Sequence, residues 1–266
     1  MDILEELNGS DDAPAPTPAA TLVIFRNAPG GGAPQILMVE RSATMNFAGG
    51  AAVFPGGRVD DADRALAARL GASEGDALDE AAARIGAIRE TLEETGLVVG
   101  LAQRPTREEA FTARDLLLAS KELEPVLAEM GWTLAIDSLL PFARWKPKHR
   151  HIRVYDTRFY LADLGTGAVD LLVDQTENTH LFWASAAEAL ELADSGKIKV
   201  IFPTRRNLER LAQFSSFDDA VAHIGHYPSR MITPFAEMRD GEPWLAIPED
   251  AGYPVTAERL DTASRS

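Results

Sequence analysis

A glycine pair followed by a long stretch with helical periodicity constrains the fold of this chain most. The pair is Gly56-Gly57, and the stretch ends at residues 89–97 in the acidic run RETLEETGL. At about 100° per residue, its apolar side chains fall on one stripe of a helix. The members of the stripe are Leu78, Ala81, Ile85, Ile88 and Leu92. We therefore predict a helix that buries this stripe and ends near Gly96, since glycine tolerates the left-handed conformation of a helix end.

Three glutamates, Glu90, Glu93 and Glu94, fall roughly opposite this stripe. Like charges three or four residues apart oppose helix formation by a few tenths of a kcal/mol per pair, and partial burial raises that cost. A bound divalent cation would remove the penalty. Hard cations such as Mg²⁺ and Mn²⁺ prefer carboxylate and carbonyl oxygens, often beside substrate phosphates. We therefore expect Mg²⁺ or Mn²⁺ here and chemistry on phosphates; the alternative is a solvated acidic helix end.

On the glutamate face, the preceding turn offers only Ala83, Gly86 and Ala87. A glycine inside a helix costs roughly 1 kcal/mol relative to alanine, so we expect another segment to cross close over this face. The Gly56-Gly57 loop is our candidate for that segment. Arg89 precedes Glu93 by one turn, and we expect the two side chains to pair.

The glycine and the acidic run together resemble the Nudix box, G-x5-E-x7-R-E-U-x-E-E-x-G-U, in which U is an aliphatic residue. One departure is large. Between Gly57 and Arg89 there are 31 residues, against 13 in the box, so about 18 are inserted. Asp63 lies where the box has its first glutamate, and Asp79 and Glu80 are the alternatives for that role.

Segments outside the box are similar to a long-insert branch of the Nudix family, the branch that includes the peroxisomal coenzyme A diphosphatase. Upstream, residues 41–57 follow the register of the motif R-S-x3-R-x3-G-x3-F-P-G-G, except that Asn46 replaces its second arginine. Downstream, Trp145-Lys146-Pro147 and residues 156–162 are similar to the W-x-T-P and D-T-x-F-F-L-A segments of the branch. The resemblance covers roughly residues 20–255.

This resemblance implies an α/β fold, the Nudix α/β/α sandwich with a mixed β-sheet, enlarged by an insertion and additional helices. We predict one Nudix domain over residues 21–255, with an insertion at about 61–78 and a helical addition at about 105–130. Residues 1–20 are rich in Pro, Ala and polar residues, a composition that buries too little apolar surface to order itself. We predict a disordered tail there and a loose C-terminus over residues 256–266. Inside the domain, strands at 21–26 and 35–40 form a hairpin around a glycine-rich turn, and later strands are expected at 152–162 and 169–173.

The resemblance also implies roles for individual residues. The metal ligands would be the Gly56 carbonyl and the carboxylates of Glu90, Glu93 and Glu94. Glu90 could alternatively orient the attacking water, and Arg89 would position the carboxylates. An acid from a later loop often adds a ligand or general base, and Glu177 is the candidate, with an ordinary surface glutamate as the alternative.

Three basic residues are candidates for contact with substrate phosphates: Arg41, Lys148 and Arg150. The latter two belong to a segment, residues 144–153, that contains no acidic residue; the alternative is an exposed basic hairpin. The expected activity is cleavage of the diphosphate of a nucleoside diphosphate derivative, with coenzyme A or acyl-coenzyme A favoured. ADP-ribose, NADH and dinucleoside polyphosphates stay open, as does a regulatory module that binds a nucleotide without cleaving it.

The composition limits the kinds of partner and chemistry that we expect for this protein. The formal net charge of −15 argues against general nucleic-acid binding, where clustered Lys and Arg neutralise phosphates. The chain has no cysteine, which excludes a disulfide framework and thiol catalysis. We find no secretory leader and no apolar run of about 18 residues, so we expect a cytoplasmic protein without a membrane segment. A homodimer is possible on family grounds.

Overall fold

The structure is a computed structural model that describes residues 15–42, 48–148, 154–165 and 178–263. The predictions that concern residues 1–14, Asn46, Arg150, the strand at 169–173, Glu177 and residues 264–266 lie outside the described residues. No helix in the described ranges combines the length and apolar character that a membrane crossing requires.

The described residues form eight α-helices. They are α1 (Asp61–Arg69), α2 (Asp76–Thr95), α3 (Arg107–Ser120), α4 (Leu123–Met130), α5 (Ala186–Asp194), α6 (Phe202–Leu211), α7 (Phe217–His226) and α8 (Leu260–Ala263), with a 3₁₀ turn at Ile136–Ser138.

The strands fall in three groups along the chain: before α1, between α4 and α5, and between α7 and α8. They are β1 (Thr17–Arg26), β2 (Gln35–Arg41), β3 (Ala52–Val53), β4 (Gly56–Arg58), β5 (Leu140–Trp145), β6 (Tyr155–Asp163), β7 (Asn178–Ser185), β8 (Met231–Ile232), β9 (Phe235–Arg239), β10 (Glu242–Ala246) and β11 (Ala257–Arg259).

Eight strands form a mixed sheet in the order β3-β2-β1-β6-β5-β8, with β4 paired to β1 and β7 paired to β2. The β1–β6 and β5–β8 pairs are parallel, and the others are antiparallel. The predicted hairpin is present, but β1 and β2 pair only next to its turn, at Phe25–Ile36 and Arg26–Gln35. Because the two strands separate beyond that point, β4 pairs with the first half of β1 and brings the glycine pair into the sheet.

Alternate residues of β1 pack on opposite faces of the sheet, as the period of two in a strand requires. Leu22 and Ile24 contribute to the core beneath α1 and α2. Val23 and Phe25 contribute to the core beneath α5, α6 and α7. Two helical layers thus enclose one sheet, which confirms the predicted α/β/α sandwich.

Local sequence explains where the principal helices begin and end. Thr106 caps α3, where the amides of Glu109 and Thr106 bond each other's side chains, a reciprocal capping box. The predicted box helix is α2, which ends at Gly96 in the left-handed conformation. Its N-cap is Gly75, and Asp76 is its first helical residue. The predicted insertion contains α1, and the predicted helical addition consists of α3 and α4.

Two predicted boundaries are wrong. β1 starts at Thr17, inside the segment predicted as a tail, because Thr17–Phe25 pair with β6 and bury Ala19 and Ala20. At the other end, the segment predicted to be loose forms β11 and α8, where Leu260 is buried. In both cases the local composition favours no structure. The residues become ordered because they pair with distant strands and are buried there.

Candidate active site

A buried ion pair connects the insertion to the acidic helix. Asp63 of α1 is 1% exposed and Arg89 of α2 is 3% exposed. Arg89 donates from Nε to Asp63 Oδ1 at 3.0 Å and from Nη2 to Asp63 Oδ2 at 3.0 Å. It also donates from Nη2 to the carbonyl of Arg58 at 2.9 Å. Asp63 and the Arg58 carbonyl therefore fix the Arg89 guanidinium in one orientation.

The two alternatives for that role lie elsewhere. Asp79 pairs with Arg64 at the surface. Glu80 pairs with Arg158 at 3.1 Å and with Arg84 at 3.6 Å. Neither acidic residue has a recorded contact with Arg89, so the structure identifies Asp63 as the partner.

The other end of the Arg89 guanidinium reaches two of the three glutamates. Nη1 donates to Glu90 Oε1 at 3.0 Å and lies 3.7 Å from Glu93 Oε2, which confirms the predicted Arg89–Glu93 contact. Burial by itself would lower the pKa of Arg89, but its hydrogen bond to Asp63 and the charges of Glu90, Asp63 and Asp60 raise it overall. Arg89 is thus a permanent cation that holds Glu90 and Glu93 in place.

Burial disfavours the charged form of the Glu90 carboxyl. Desolvation raises the pKa of the Glu90 carboxyl to about 7, against the lowering effect of Arg89, and the charge of Glu93 adds to the rise. Gly57 lies directly against this carboxylate, and a Cβ placed on Gly57 would approach Glu90 Oε1 to 2.5 Å. A side chain at position 57 would therefore displace the Glu90 carboxylate. A cation bound beside Glu90 would restore its charged form.

Glu94 binds the other glycine of the pair. Its Oε2 accepts a hydrogen bond of 3.0 Å from the Gly56 amide, and the residue is 5% exposed. Gly56 has a φ of 153°, and a Cβ there would lie 2.7 Å from the Cα of Thr21. The β4 backbone is therefore locked between β1 and the acidic face of α2.

The segment that crosses Gly86 differs from the expected one. A Cβ on Gly86 would lie 3.0 Å from Asp63 Oδ2 and 3.5 Å from the Cα of Val59. The residues that follow the glycine loop, rather than the loop itself, pass over this position, because the chain turns into α1 there. Gly56 and Gly57 contact the next turn of α2, at Glu94 and Glu90.

Whether these residues fit a divalent cation depends on both donor type and geometry. Three carboxylates and a nearby backbone carbonyl are the hard oxygen donors that Mg²⁺ and Mn²⁺ prefer. Within the described ranges, however, no three acidic or imidazole side chains converge closely enough to surround one ion. Arg89, Lys121 and the Gly56 amide each hold one or more of the carboxylates. The donor types fit the metal, and the carboxylates would have to converge further to surround one ion.

A cavity of about 360 Å³ opens on the other side of β4. Gly56, Gly57 and Arg58 form part of its lining, so the backbone that touches the glutamates also borders the cavity. Arg41, a predicted substrate-binding residue, lies in the lining. Most of the wall is apolar or aromatic, as is usual for pockets that take small organic ligands. The wall includes Val53, Phe54, Trp145, Pro147, Tyr155, Phe159, Ile201 and Pro203.

Lys148, another predicted substrate-binding residue, is not part of the cavity lining. Lys148 is exposed and follows Pro147 of the cavity wall by one residue. Arg150 lies outside the described residues. The structure therefore brings together Arg41, Gly56, Arg89 and the three glutamates, while Lys148 stays at the rim.

Sequence reasoning missed part of the wall. Tyr155, Thr157 and Phe159 alternate along β6 and all face the cavity, and the period of two in a predicted strand could have grouped them. It also missed Lys121, whose Nζ lies 3.0 Å from Glu93 Oε1. No local pattern indicates that contact, since the two residues are separated by 28 positions.

Comparisons with known proteins agree with this geometry. The chain is 30% identical to the acyl-coenzyme A diphosphatase NUDT19 of Gallus gallus over 261 residues, which covers 76% of this chain and 69% of that protein. It superposes on a Nudix hydrolase from Alicyclobacillus acidocaldarius with a TM-score of 0.64 at 25% identity, covering 78% of this chain and 96% of the other. No protein-family model matches the chain. The fold, the box residues and these relatives together show that the chain belongs to the Nudix superfamily and is a Nudix hydrolase that acts as a pyrophosphohydrolase.

Proposed function

We propose that this Nudix hydrolase cleaves the diphosphate linkage of coenzyme A or an acyl-coenzyme A in a reaction that depends on Mg²⁺ or Mn²⁺. The observation that carries the proposal is the β4 backbone. One of its sides contacts Glu90 and Glu94, and it also borders a largely apolar cavity that Arg41 lines. A diphosphate bound along β4 would meet acidic ligands and an arginine at the same time.

The substrate class is supported by the cavity and by the named relative. A coenzyme A ester combines phosphates with an adenine ring and a long, weakly polar arm, and aromatic and apolar walls suit such groups. The relative from Gallus gallus is named an acyl-coenzyme A diphosphatase. Arg41 supplies a cation for a phosphate in a chain whose net charge is −15.

In this proposal each residue of the site has a physical task. Glu90, Glu93 and Glu94, with the Gly56 carbonyl, would hold the cation, which when bound lowers the pKa of water and neutralises phosphate charge. Asp63 orients Arg89, and Arg89 keeps Glu90 and Glu93 aligned. Water adds across the P–O–P linkage, so that coenzyme A gives 3′,5′-ADP and 4′-phosphopantetheine. Glu177, outside the described residues, remains our candidate for the general base.

The test is a substrate panel. The purified protein is incubated with Mg²⁺ or Mn²⁺ and coenzyme A, acyl-coenzyme A, ADP-ribose, NADH or diadenosine polyphosphates, and products are identified by mass spectrometry. We expect the highest kcat/KM with a coenzyme A compound and no product in the presence of EDTA. Faster cleavage of another diphosphate would overturn the substrate assignment, and full activity in EDTA would overturn the metal requirement.

A further inference from the structure

The helical addition, α3 and α4, packs against the C-terminal end of α2, which carries the three glutamates. Leu92 of α2 packs in a small buried cluster with Ala113 and Leu117 of α3 and Val126 of α4. This contact lies one residue before Glu93. The added helices therefore reach the turn that carries the proposed metal ligands.

Two cationic side chains of this addition converge on Glu93. Arg114 donates from Nε to the Glu93 carbonyl at 2.9 Å. Lys121, directly after α3, donates from Nζ to Glu93 Oε1 at 3.0 Å. One contact holds the backbone of Glu93, and the other holds its carboxylate.

Lys121 adopts an unusual backbone conformation. It is the C-cap of α3, with a φ of 61° in the left-handed region. The left-handed caps of α2 and α4 are both glycine, Gly96 and Gly131. A residue with a Cβ is strained in this conformation, and such outliers gather where a side chain serves a function. The side chain at this strained position is the one that reaches Glu93.

We propose that Lys121 is an internal counter-ion of the active site, which occupies the Glu93 carboxylate in the metal-free protein and leaves it when the divalent cation binds. The inference rests on the proposed metal dependence. Its premise is that three neighbouring glutamates without a metal need positive charge, which Arg89 supplies to Glu90 and Glu93 from one side.

Exposure makes the exchange feasible. The Lys121 side chain is 65% exposed while Glu93 is 19% exposed. The ammonium can therefore move into water with little loss of stability, because exposed ion pairs contribute little to it. Arg89, which is 4% exposed and tied to Asp63, cannot leave in the same way. A metal ion entering the site displaces the mobile cation and keeps the fixed one.

The experiment measures the affinity of the metal-free protein for Mn²⁺, from the electron paramagnetic resonance signal of the free ion. Lys121→Gln removes the competing charge, and Lys121→Gly also relieves the backbone strain. We expect both variants to bind Mn²⁺ about two- to five-fold more tightly than the wild type, with the ratio shrinking as salt screens the charge. Lys121→Arg retains the charge and should keep wild-type affinity.

Lys197→Gln is the matched control. It removes the same charge from an exposed position after α5, a helix on the opposite face of the sheet from α2, and it should not change Mn²⁺ affinity. Unchanged or weaker Mn²⁺ binding in Lys121→Gln and Lys121→Gly would overturn the inference. So would tighter binding in Lys197→Gln, which would indicate an effect of net charge. If the wild type itself binds no Mn²⁺, the proposed metal dependence fails first and the inference with it.

Discussion

At the residue scale, the site is organised by the buried pair of Arg89 and Asp63. One edge of the Arg89 guanidinium binds Asp63 and the Arg58 carbonyl, and the other edge contacts Glu90 and Glu93. One side chain thereby connects the inserted helix α1 with the acidic turn of α2. Since both members of the pair are nearly inaccessible to water, the loss of either leaves an uncompensated buried charge.

Asp63→Asn should therefore destabilise the protein by about 3 kcal/mol, the size expected when one partner of a buried ion pair is lost. Asp79→Asn is the matched control, because Asp79 pairs with Arg64 at the surface, where a pair contributes at most about 1 kcal/mol. Urea unfolding measures both changes. Equal losses in the two variants would contradict the assignment of Asp63 as the partner of Arg89.

Glu94→Gln separates the charge of Glu94 from its packing. The glutamine carbonyl can still accept the Gly56 amide, so we expect a change of less than about 1 kcal/mol in the free energy of unfolding. Activity with Mg²⁺ should fall by at least about 100-fold, since a metal ligand is lost. Near-wild-type turnover in a folded Glu94→Gln protein would remove Glu94 from the proposed ligand set.

At the element scale, the short strand β4 is the part on which the site depends. It enters the sheet beside the first half of β1, and its two glycines lie against Glu94 and Glu90. The absence of side chains at these positions lets the backbone lie between the acidic face of α2 and the cavity. A strand with ordinary side chains would hold the two apart.

Gly57→Ala tests this arrangement. The new Cβ would approach Glu90 Oε1 to 2.5 Å, so the carboxylate must move. We expect kcat to fall by about 10²-fold, the effect of a displacement of about 1 Å in a catalytic group. Gly30→Ala is the control, because a Cβ there meets nothing within 4 Å. Steady-state kinetics give kcat for both variants. Equal kcat values in Gly57→Ala and Gly30→Ala would show that Glu90 tolerates the shift.

At the scale of the whole molecule, the C-terminal elements hold the wall of the cavity. Trp145 of the wall donates from Nε1 to Tyr253 Oη at 3.1 Å, and Tyr253 donates to Asn207 of α6 at 2.7 Å. Beside them lies Arg210, which is 2% exposed and donates to the Phe142 carbonyl and to His223. Residues more than 100 positions apart therefore support the same face of the sheet.

His223 makes this region sensitive to pH. Burial and the charge of Arg210 lower the pKa of His223, which outweighs a hydrogen bond with the Gly252 backbone. Its Nε2 lies 3.1 Å from Arg210 Nε, which donates to it, so the folded state requires a neutral imidazole. Below the ordinary value of 6.5 the unfolded chain binds a proton here that the folded chain does not. The free energy of unfolding should therefore decrease as the pH falls from 6.5 through the lowered folded pKa.

The measurement compares urea unfolding of the wild type and His223→Gln at several values from about pH 7 to pH 5. The glutamine carbonyl can accept the Arg210 hydrogen bond without titrating. We expect a shallower dependence on pH in the variant. Parallel curves for the two proteins would exclude His223 as the source of the slope.

The sequence by itself determined the elements with strong local signals. The stripe from Leu78 to Leu92 set the box helix, Gly96 set its end, and the glycine-rich turn set the first hairpin. It also determined which residue types gather at the site, because a helix fixes the spacing of Arg89 and the glutamates. These features depend on residues within one or two turns of each other.

Only the tertiary structure decided which distant residues complete the site. Asp63 rather than Asp79 became the partner of Arg89, because α1 folds back over Gly86. Lys121 reached Glu93 because α3 packs on Leu92. β1 and β11 became ordered because β6 and β10 offered strands to pair with. Such contacts depend on how elements pack across long separations in the chain, and local periodicity carries no information about that packing.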